Sequence, residues 1–180
     1  MNLRNLWLKY TQLKKILLIS DTHNYLDPKL KKHILEADEV WHAGDIGTID
    51  ICLEIEKLKP LKAVFGNVDG NDIRLTYPEN LFFNCEDVPV FITHIGGYPG
   101  KYPARIKILL LKHKPKLFIC GHSHILKVMY DKDLQLLQIN PGACGVHGFH
   151  KIKTVVRFEI EGSDIKNLAV IELGNRTSLT

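Results

Sequence analysis

Metal-binding side chains follow five separate apolar segments of this 180-residue chain. Carboxylate, amide and imidazole groups together suit Mn²⁺, Fe²⁺, Zn²⁺ or Ni²⁺, whereas a structural zinc site would recruit cysteines. The residue types therefore indicate a pair of divalent cations. The five segments end in Asp21-Thr22-His23, Gly44-Asp45, Gly66-Asn67, His94 and Gly121-His122-Ser123-His124.

Each of these residues has a structural explanation when it is taken alone. Asp21 and Asp45 are residue types that cap helices or form turns. Asn67 suits an ordinary turn, and His94 suits a hydrogen-bonded position near the core. However, five turns that all end apolar strands in Asp, Asn or His at one edge of one sheet would be a repeated coincidence. We therefore interpret them as one site.

The spacing within two of the motifs also favours a shared site. In an extended backbone, side chains two positions apart point the same way. On that basis the side chains of Asp21 and His23 can address one spot, and so can those of His122 and His124. The segment that contains His122 and His124 can offer one imidazole to each metal.

The first half of the chain predicts the elements that carry these residues. Apolar runs at 15–20, 39–44 and 61–66 read as buried strands, and the amphipathic segments 27–38 and 48–59 read as helices. Strands that alternate with helices predict right-handed crossovers and a parallel sheet. Open α/β sheets place their ligands at the carboxyl ends of such strands.

The second half of the chain reads mainly as short strands, with one helix over 103–114. The turns at 130–134 and 161–164 each separate apolar-alternating runs, which predicts two hairpins. We therefore predict one α/β domain over residues 1–180, with two facing mixed β-sheets flanked by helices in an αββα sandwich.

Composition narrows the expected partners and location. The formal charge is +4, but the lysines are scattered, so a nucleic acid polymer is not the expected partner. The four cysteines form no CxxC pair, which favours a reducing cytoplasm. No segment is apolar enough to span a membrane.

Residues 1–14 predict a helical extension, because Leu3, Leu6, Trp7 and Tyr10 recur at helical spacing. An extra helix packed on the core is the simplest interpretation. A membrane-surface helix or a contact between two copies in a homo-oligomer are the alternatives.

In chain order the motifs are Asp-x-His, Gly-Asp, Gly-Asn, His and Gly-His-x-His, followed by the Asn-Pro-Gly turn at 140–142. This set resembles the signature of the calcineurin-like metallophosphoesterases. The short form of the chain is similar to the small bacterial and archaeal phosphodiesterase branch of that superfamily.

The resemblance implies two metal ions that share one bridging carboxylate, that of Asp45. It also implies a catalytic role for Asp45, Asn67 and His94. Mn²⁺ is the expected ion, with Zn²⁺, Ni²⁺ or Fe²⁺ as alternatives. The further ligands are Asp21, His23 and His124 for one ion, and Asn67, His94 and His122 for the other.

One position departs from the pattern of the superfamily. Many members carry a histidine directly after the Gly-Asn motif, where it is thought to protonate the leaving oxygen. Here that residue is Val68, which cannot transfer a proton. Small phosphodiesterases of this branch also tend to lack the histidine. His42 and Asp69 are the candidate donors in its place.

A glycine-rich loop after the Asn-Pro-Gly turn contains His147 and His150. Loops at this edge of a sheet often shape the substrate pocket. We expect both histidines and Asn67 to contact substrate, and both histidines are further candidates for the proton donor.

The charges of the expected site favour diesters. Two dications and the carboxylates of Asp21 and Asp45 leave a surplus of about two positive charges, because Asn67 and neutral imidazoles add none. A bridging hydroxide and one phosphodiester monoanion would neutralise this surplus. The expected reaction is hydrolysis of a small phosphodiester by attack of that hydroxide.

Two alternatives come from the same superfamily. A retromer subunit shares the expected fold and acts as a non-catalytic scaffold, but here every ligand position is filled by a competent residue. A protein phosphatase or a DNA nuclease is the other alternative. Those enzymes usually carry long insertions or extra domains, for which this chain has no room.

Overall fold

Residues 12–177 of the protein are described by a computed structural model. These residues form ten strands and four helices. In chain order the elements are β1 (Lys14–Ile19), α1 (Leu30–Glu36), β2 (Glu39–His42), α2 (Ile49–Glu56), β3 (Leu61–Ala63), α3 (Asn71–Thr76), β4 (Asn80–Cys85), β5 (Val88–Thr93), α4 (Ala104–His113), β6 (Leu117–Ile119), β7 (Leu126–Asp131), β8 (Leu136–Pro141), β9 (Ile152–Glu161) and β10 (Asp164–Asn175).

The strands form two mixed sheets of five strands each. The first sheet has the order β10-β9-β1-β2-β3, in which β1, β2 and β3 are parallel and β9 runs antiparallel to β1. The second has the order β4-β5-β6-β8-β7, in which β5, β6 and β8 are parallel. Antiparallel pairing of β7 with β8 and of β9 with β10 confirms both predicted hairpins.

Strand β1 shows why the layers form. Ile16 and Leu18 pack in the core between the two sheets, whereas Leu17 and Ile19 pack in the core that α1 and α2 cover. A strand buried on both faces must be apolar throughout, which is how it reads in the sequence. Burial of each such side chain stabilises the folded state by about 1.5–3 kcal/mol. The αββα sandwich confirms the predicted fold class.

A third core holds α4 on the outer face of the second sheet. Ile106 and Leu110 of α4 pack against Phe91 of β5 and Phe118 of β6. The helix therefore fixes β5 and β6, the two strands of this sheet that lead into His94 and Gly121. Both sheets are thus backed by helices where their strands lead to the site.

The prediction that all five strand ends lie at one edge of one sheet was wrong. Strands β1, β2 and β3 belong to the first sheet, and β5 and β6 belong to the second. Each segment is apolar enough to be buried, but its periodicity does not say which sheet it joins. The site therefore lies where the carboxyl ends of two sheets meet.

Helix α3 was not predicted, because its six residues are too few for a periodic apolar stripe. The predicted extension over residues 1–14 falls largely on residues 1–11, which lie outside the described residues. Lys14 belongs to β1, so the extension does not include it as a helical residue. No helix in the described range is long and apolar enough to cross a membrane.

Candidate metal centre

The strand ends bring together two groups of potential metal ligands. Within each group the ligand atoms all lie within 4.8 Å of one another, and no cysteine of the described residues belongs to either group. The four cysteines are free and buried. The groups are Asp21, His23 and His124, and Asp45, His94 and His122.

The first group crowds atoms that carry lone pairs. Asp21 Oδ1 lies 3.2 Å from His124 Nε2, which itself lies 3.2 Å from His23 Nε2. Asp21 is fully buried, and no hydrogen bond within residues 12–177 satisfies this oxygen. A buried carboxylate oxygen without a donor is costly unless a cation lies beside it. The first group therefore fits a divalent metal.

The second group is oriented by the backbone. His94 Nδ1 donates to the carbonyl oxygen of Ala43 at 2.7 Å, so the other ring nitrogen, Nε2, carries a lone pair that it can present to a cation. Nε2 lies 3.2 Å from Asp45 Oδ2. That nitrogen is buried and unsatisfied within the described residues. Fixing a ligating imidazole through its other nitrogen is the usual arrangement at metal sites. The second group fits a metal as well.

Asp45 lies between the two groups. Its Oδ2 is 3.2 Å from His94 Nε2 and 3.9 Å from His23 Nε2, while its Oδ1 accepts the Val68 N–H at 3.1 Å. Burial alone would raise the pKa of Asp45, but the neighbouring His94 imidazole and the Val68 N–H hold that pKa below its usual value. Its carboxylate is therefore ionised at neutral pH and free to bind cations on one oxygen.

The backbone of the ligands is strained, and it is not extended as the two-residue spacing argument assumed. Five of the six residues in the two groups have positive φ, from 45° at His23 to 69° at His122. Left-handed conformations at non-glycine residues cost about 1–3 kcal/mol each and persist where the surrounding structure imposes them. His122 and His124 therefore lie in different groups: His122 lies with Asp45 and His94, whereas His124 lies with Asp21 and His23.

Asn67 and Val68 lie in the loop after β3, and both are exposed. Asn67 lines a small pocket together with His94, which places this residue beside the second group. The side chain of Val68 is 56% exposed at this edge of the site. A residue at this position therefore has access to a bound substrate, but valine brings no proton.

His42, a candidate donor, is fully buried in a hydrogen-bond chain. The Gly44 N–H donates to its Nδ1 at 3.1 Å, so Nε2 carries the proton and donates to Thr22 Oγ1 at 2.9 Å. That hydroxyl donates in turn to the carbonyl oxygen of Ile46. The structure places His42 beneath the loops of Asp21 and Asp45, where it orients them and has no route to a leaving group.

Burial lowers the pKa of His42 from 6.5 to about 3, and this makes stability depend on pH. Between those values the unfolded chain binds a proton that the folded chain does not, so unfolding becomes easier as pH falls. We expect the free energy of unfolding of metal-free protein to drop by about 1.4 kcal/mol per pH unit through this one group. Denaturant titrations from pH 7 to pH 4 measure the slope.

The matched variants are His42→Gln, which removes the titrating group, and His113→Gln on the exposed face of α4. The first should make the dependence of stability on pH shallower, and the second should leave it as in the natural protein. Equal slopes in all three proteins would contradict the assignment to His42.

Asp69, the other candidate donor, is also tied into the scaffold. Its Oδ1 accepts the Gly47 N–H at 2.8 Å and its Oδ2 accepts the Gly66 N–H at 2.7 Å. The side chain is buried, and it fastens the loop after β2 to the loop after β3. The structure therefore gives Asp69 a positioning role for Asp45 and Asn67.

The glycine-rich loop covers the first group. Its Gly145 N–H donates to the Asp21 carbonyl oxygen at 3.1 Å, and the ring of His147 lies 5.0 Å from that of His23. The ring of His150 lies 5.4 Å from that of His124, while its Nε2 donates to the Gly145 carbonyl oxygen. Both predicted loop histidines thus lie against ligands, with His147 exposed and His150 partly buried.

Two arginines that hold the site were not found from the sequence. Arg176 donates to the carbonyl oxygens of Val146 and His150 in the glycine-rich loop. Arg74 donates to the carbonyl oxygens of Gly66 and Asn67 beside the second group. Both arginines donate hydrogen bonds to backbone carbonyl oxygens. Every residue has such an oxygen, so the sequence does not indicate which one an arginine will bind.

Comparisons with known proteins place the chain in a family. Residues 15–163 match the family model described as the calcineurin-like phosphoesterase superfamily domain. A probable metallophosphoesterase of Methanothermobacter thermautotrophicus is 31% identical over 134 residues, which are 70% of this chain and 74% of that protein.

Two solved structures share the fold. A predicted phosphoesterase of Streptococcus pneumoniae has a TM-score of 0.66 at 18% identity, covering 89% of this chain and 90% of its own. Vacuolar protein sorting 29 of Cryptosporidium parvum has a TM-score of 0.70 at 15% identity, covering 92% and 99%. With its matched domain and its two ligand groups, this chain belongs to the calcineurin-like phosphoesterase superfamily.

Proposed function

We propose that the protein is a phosphodiesterase that uses two divalent metal ions. The observation that carries this proposal is the position of Asp45 Oδ2, within 3.2 Å of a histidine nitrogen in one group and 3.9 Å of one in the other. A single oxygen between two ligand groups is what a bridging carboxylate requires. Two-metal hydrolases of phosphate esters are built around such pairs of ions.

In this proposal Asp21, His23 and His124 hold one ion together with Asp45, and Asn67, His94 and His122 complete the other. Mn²⁺ is the ion we expect. When bound, the pair lowers the pKa of water and stabilises charge on the phosphoryl oxygens. The chain's own contribution is orientation, because the hydrogen bond from His94 to Ala43 and the strained loops fix the ligands before any ion binds.

The balance of charge supports a diester substrate. Asp21 and Asp45 are the two carboxylates in the ligand groups, and the imidazoles are neutral as ligands. Two dications would then leave about two positive charges for a nucleophilic hydroxide and a substrate monoanion. A monoester dianion would exceed this charge, so we propose that diesters are preferred.

We expect the rate of hydrolysis to fall steeply as the pKa of the leaving group rises, by about 100-fold or more from nitrophenol to simple alcohols. Val68 cannot donate a proton, and His42 and Asp69 are held in buried hydrogen bonds. The leaving oxygen must therefore depart as a stable anion. Values of kcat/KM for a series of aryl and alkyl methyl phosphodiesters measure this dependence.

Val68→His is the informative variant, because it restores an imidazole at an exposed position beside the site. The dependence on leaving-group pKa should become shallower in this variant. A shallow dependence in the natural protein would contradict the prediction, and would assign the proton donor to His147 or His150.

A non-catalytic scaffold is the second candidate, and the likeness to vacuolar protein sorting 29 favours it. That likeness is one of fold alone at 15% identity. The complete ligand groups of this chain support the catalytic proposal instead.

The experiment that tests the proposal compares bis(p-nitrophenyl) phosphate with p-nitrophenyl phosphate. The protein is stripped of metal and then supplied with Mn²⁺, Ni²⁺, Zn²⁺ or Mg²⁺. Turnover of the diester that requires metal and exceeds turnover of the monoester would support the proposal. No turnover with any ion, in protein that binds two ions per chain, would favour the scaffold.

A further inference from the structure

A pocket of about 170 Å³ opens beside His94. At ~30 Å³ for each water molecule, it has room for about five or six waters, which is enough for one phosphate or sugar group. Asn67 and His94 lie in its wall, so the pocket is continuous with the second ligand group. Its charged lining residues are Arg74, Glu79 and Arg105.

Arg74 is held rigidly at this pocket. Its Nε donates to the Asp69 carbonyl oxygen at 2.7 Å, and its Nη2 donates to those of Gly66 and Asn67 at 3.0 and 3.1 Å. The guanidinium lies 4.5 Å from the centre of the Phe65 ring. Neither hydrogen of Nη1 has a partner within residues 12–177, where this arginine also pairs with no carboxylate.

Arg105 is the second cation of the pocket, and it is balanced by Glu79. Its Nη1 lies 2.6 Å from Glu79 Oε1, with both side chains about half exposed. Exposed ion pairs of this kind are weak, so an incoming anion can compete for the arginine. Two arginines and one glutamate leave a net positive charge beside the ligand group.

We propose that this pocket binds a second phosphate of the substrate, one that neighbours the scissile diester. The inference rests on the proposed function and names its substrate class, which is a small diester with an additional terminal phosphate. The unused Nη1 hydrogens of Arg74 and the guanidinium of Arg105 supply the hydrogen bonds, a geometry that suits phosphate oxygens. Since Asn67 and His94 line the same pocket, the two phosphates lie side by side.

The test uses thymidylyl-thymidine with and without a terminal 5′-phosphate, two diesters that differ only in this group. We expect kcat/KM of the Mn²⁺-loaded protein to be about tenfold higher for the phosphorylated diester. Arg105→Gln should lower the ratio of kcat/KM for the phosphorylated diester to kcat/KM for the unphosphorylated one about threefold. Glu79→Gln should raise this ratio, because the substitution removes the ion-pair partner of Arg105. Lys107→Gln removes an exposed charge from the same helix, outside the pocket, and should leave the ratio unchanged.

A binding measurement separates this inference from the proposed function. In metal-free protein, the NMR signal of the Arg74 Nε–H should shift with the phosphorylated diester and much less with the unphosphorylated one. If neither diester is hydrolysed, the proposed function fails, but this shift still reports on the pocket. Equal shifts, or equal ratios in the natural protein and Arg105→Gln, would overturn the inference while hydrolysis stands.

Discussion

Asp45→Asn is expected to lower diester hydrolysis by about 1,000-fold, which corresponds to ~4 kcal/mol of transition-state stabilisation. The variant converts the carboxylate that faces both ligand groups into an amide, which carries no charge. The protein should also lose about one bound metal ion per chain. Initial rates with bis(p-nitrophenyl) phosphate and metal analysis of the dialysed variant measure the two effects.

Asp133→Asn is the matched control, since it makes the same change at an exposed position in the turn between β7 and β8. It should retain both the rate and the metal content. Circular dichroism would show whether each variant is folded. Folded Asp45→Asn protein that keeps two ions and near-normal activity would contradict a bridging role for Asp45.

Gly148→Ala is expected to lower metal affinity at the first group about 10- to 100-fold, with a similar loss of activity. A Cβ at this position would lie 2.1 Å from His124 Nδ1, which is far inside contact distance. Its φ of 111° is also one that residues with a side chain rarely adopt. The loop or the ligand must therefore move. Isothermal titration with Mn²⁺ measures the affinity.

Gly100→Ala separates backbone strain from the clash. Gly100 also has positive φ, 81°, but a Cβ there meets nothing within 4 Å. This variant should lose some thermal stability and keep its metal affinity. If both variants bind metal equally well, the close contact of the loop with His124 does not position that ligand.

The residues of the two candidate ligand groups could be picked out because each group member lies a few residues beyond the end of an apolar strand. Asp21 follows β1 and His94 follows β5, so the change from apolar to polar marks the edge of a buried sheet. Strands β1 and β5 are recognisable because both of their faces are buried. Position after a strand and residue type together were sufficient to collect these residues into one candidate site.

The spacing of the residues in the sequence could not show which candidate ligands would share an ion. The spacing argument assumed an extended backbone, but the residues concerned have left-handed conformations, which are imposed by contacts with residues remote in sequence. These residues are Asp21, His23, His122 and His124. One such contact is the Asp21 Oδ2 that accepts the His122 N–H. Side-chain directions at the site therefore depend on contacts between the two sheets.

The role of His42 could not be predicted from the sequence either. A histidine at a strand end has the right chemistry for a proton donor, and only its burial and its bonds to Gly44 and Thr22 show a positioning role. Arg74 and Arg176 were missed for a related reason. They bind carbonyl oxygens, which every residue carries.

The most direct test is a crystal of metal-stripped protein soaked in Mn²⁺ and measured for anomalous scattering. Two anomalous peaks are predicted, one beside Asp21, His23 and His124 and the other beside His94 and His122, with Asp45 Oδ2 in contact with both. A single peak, or two peaks of which only one touches Asp45, would contradict the shared carboxylate on which the proposed phosphodiesterase depends.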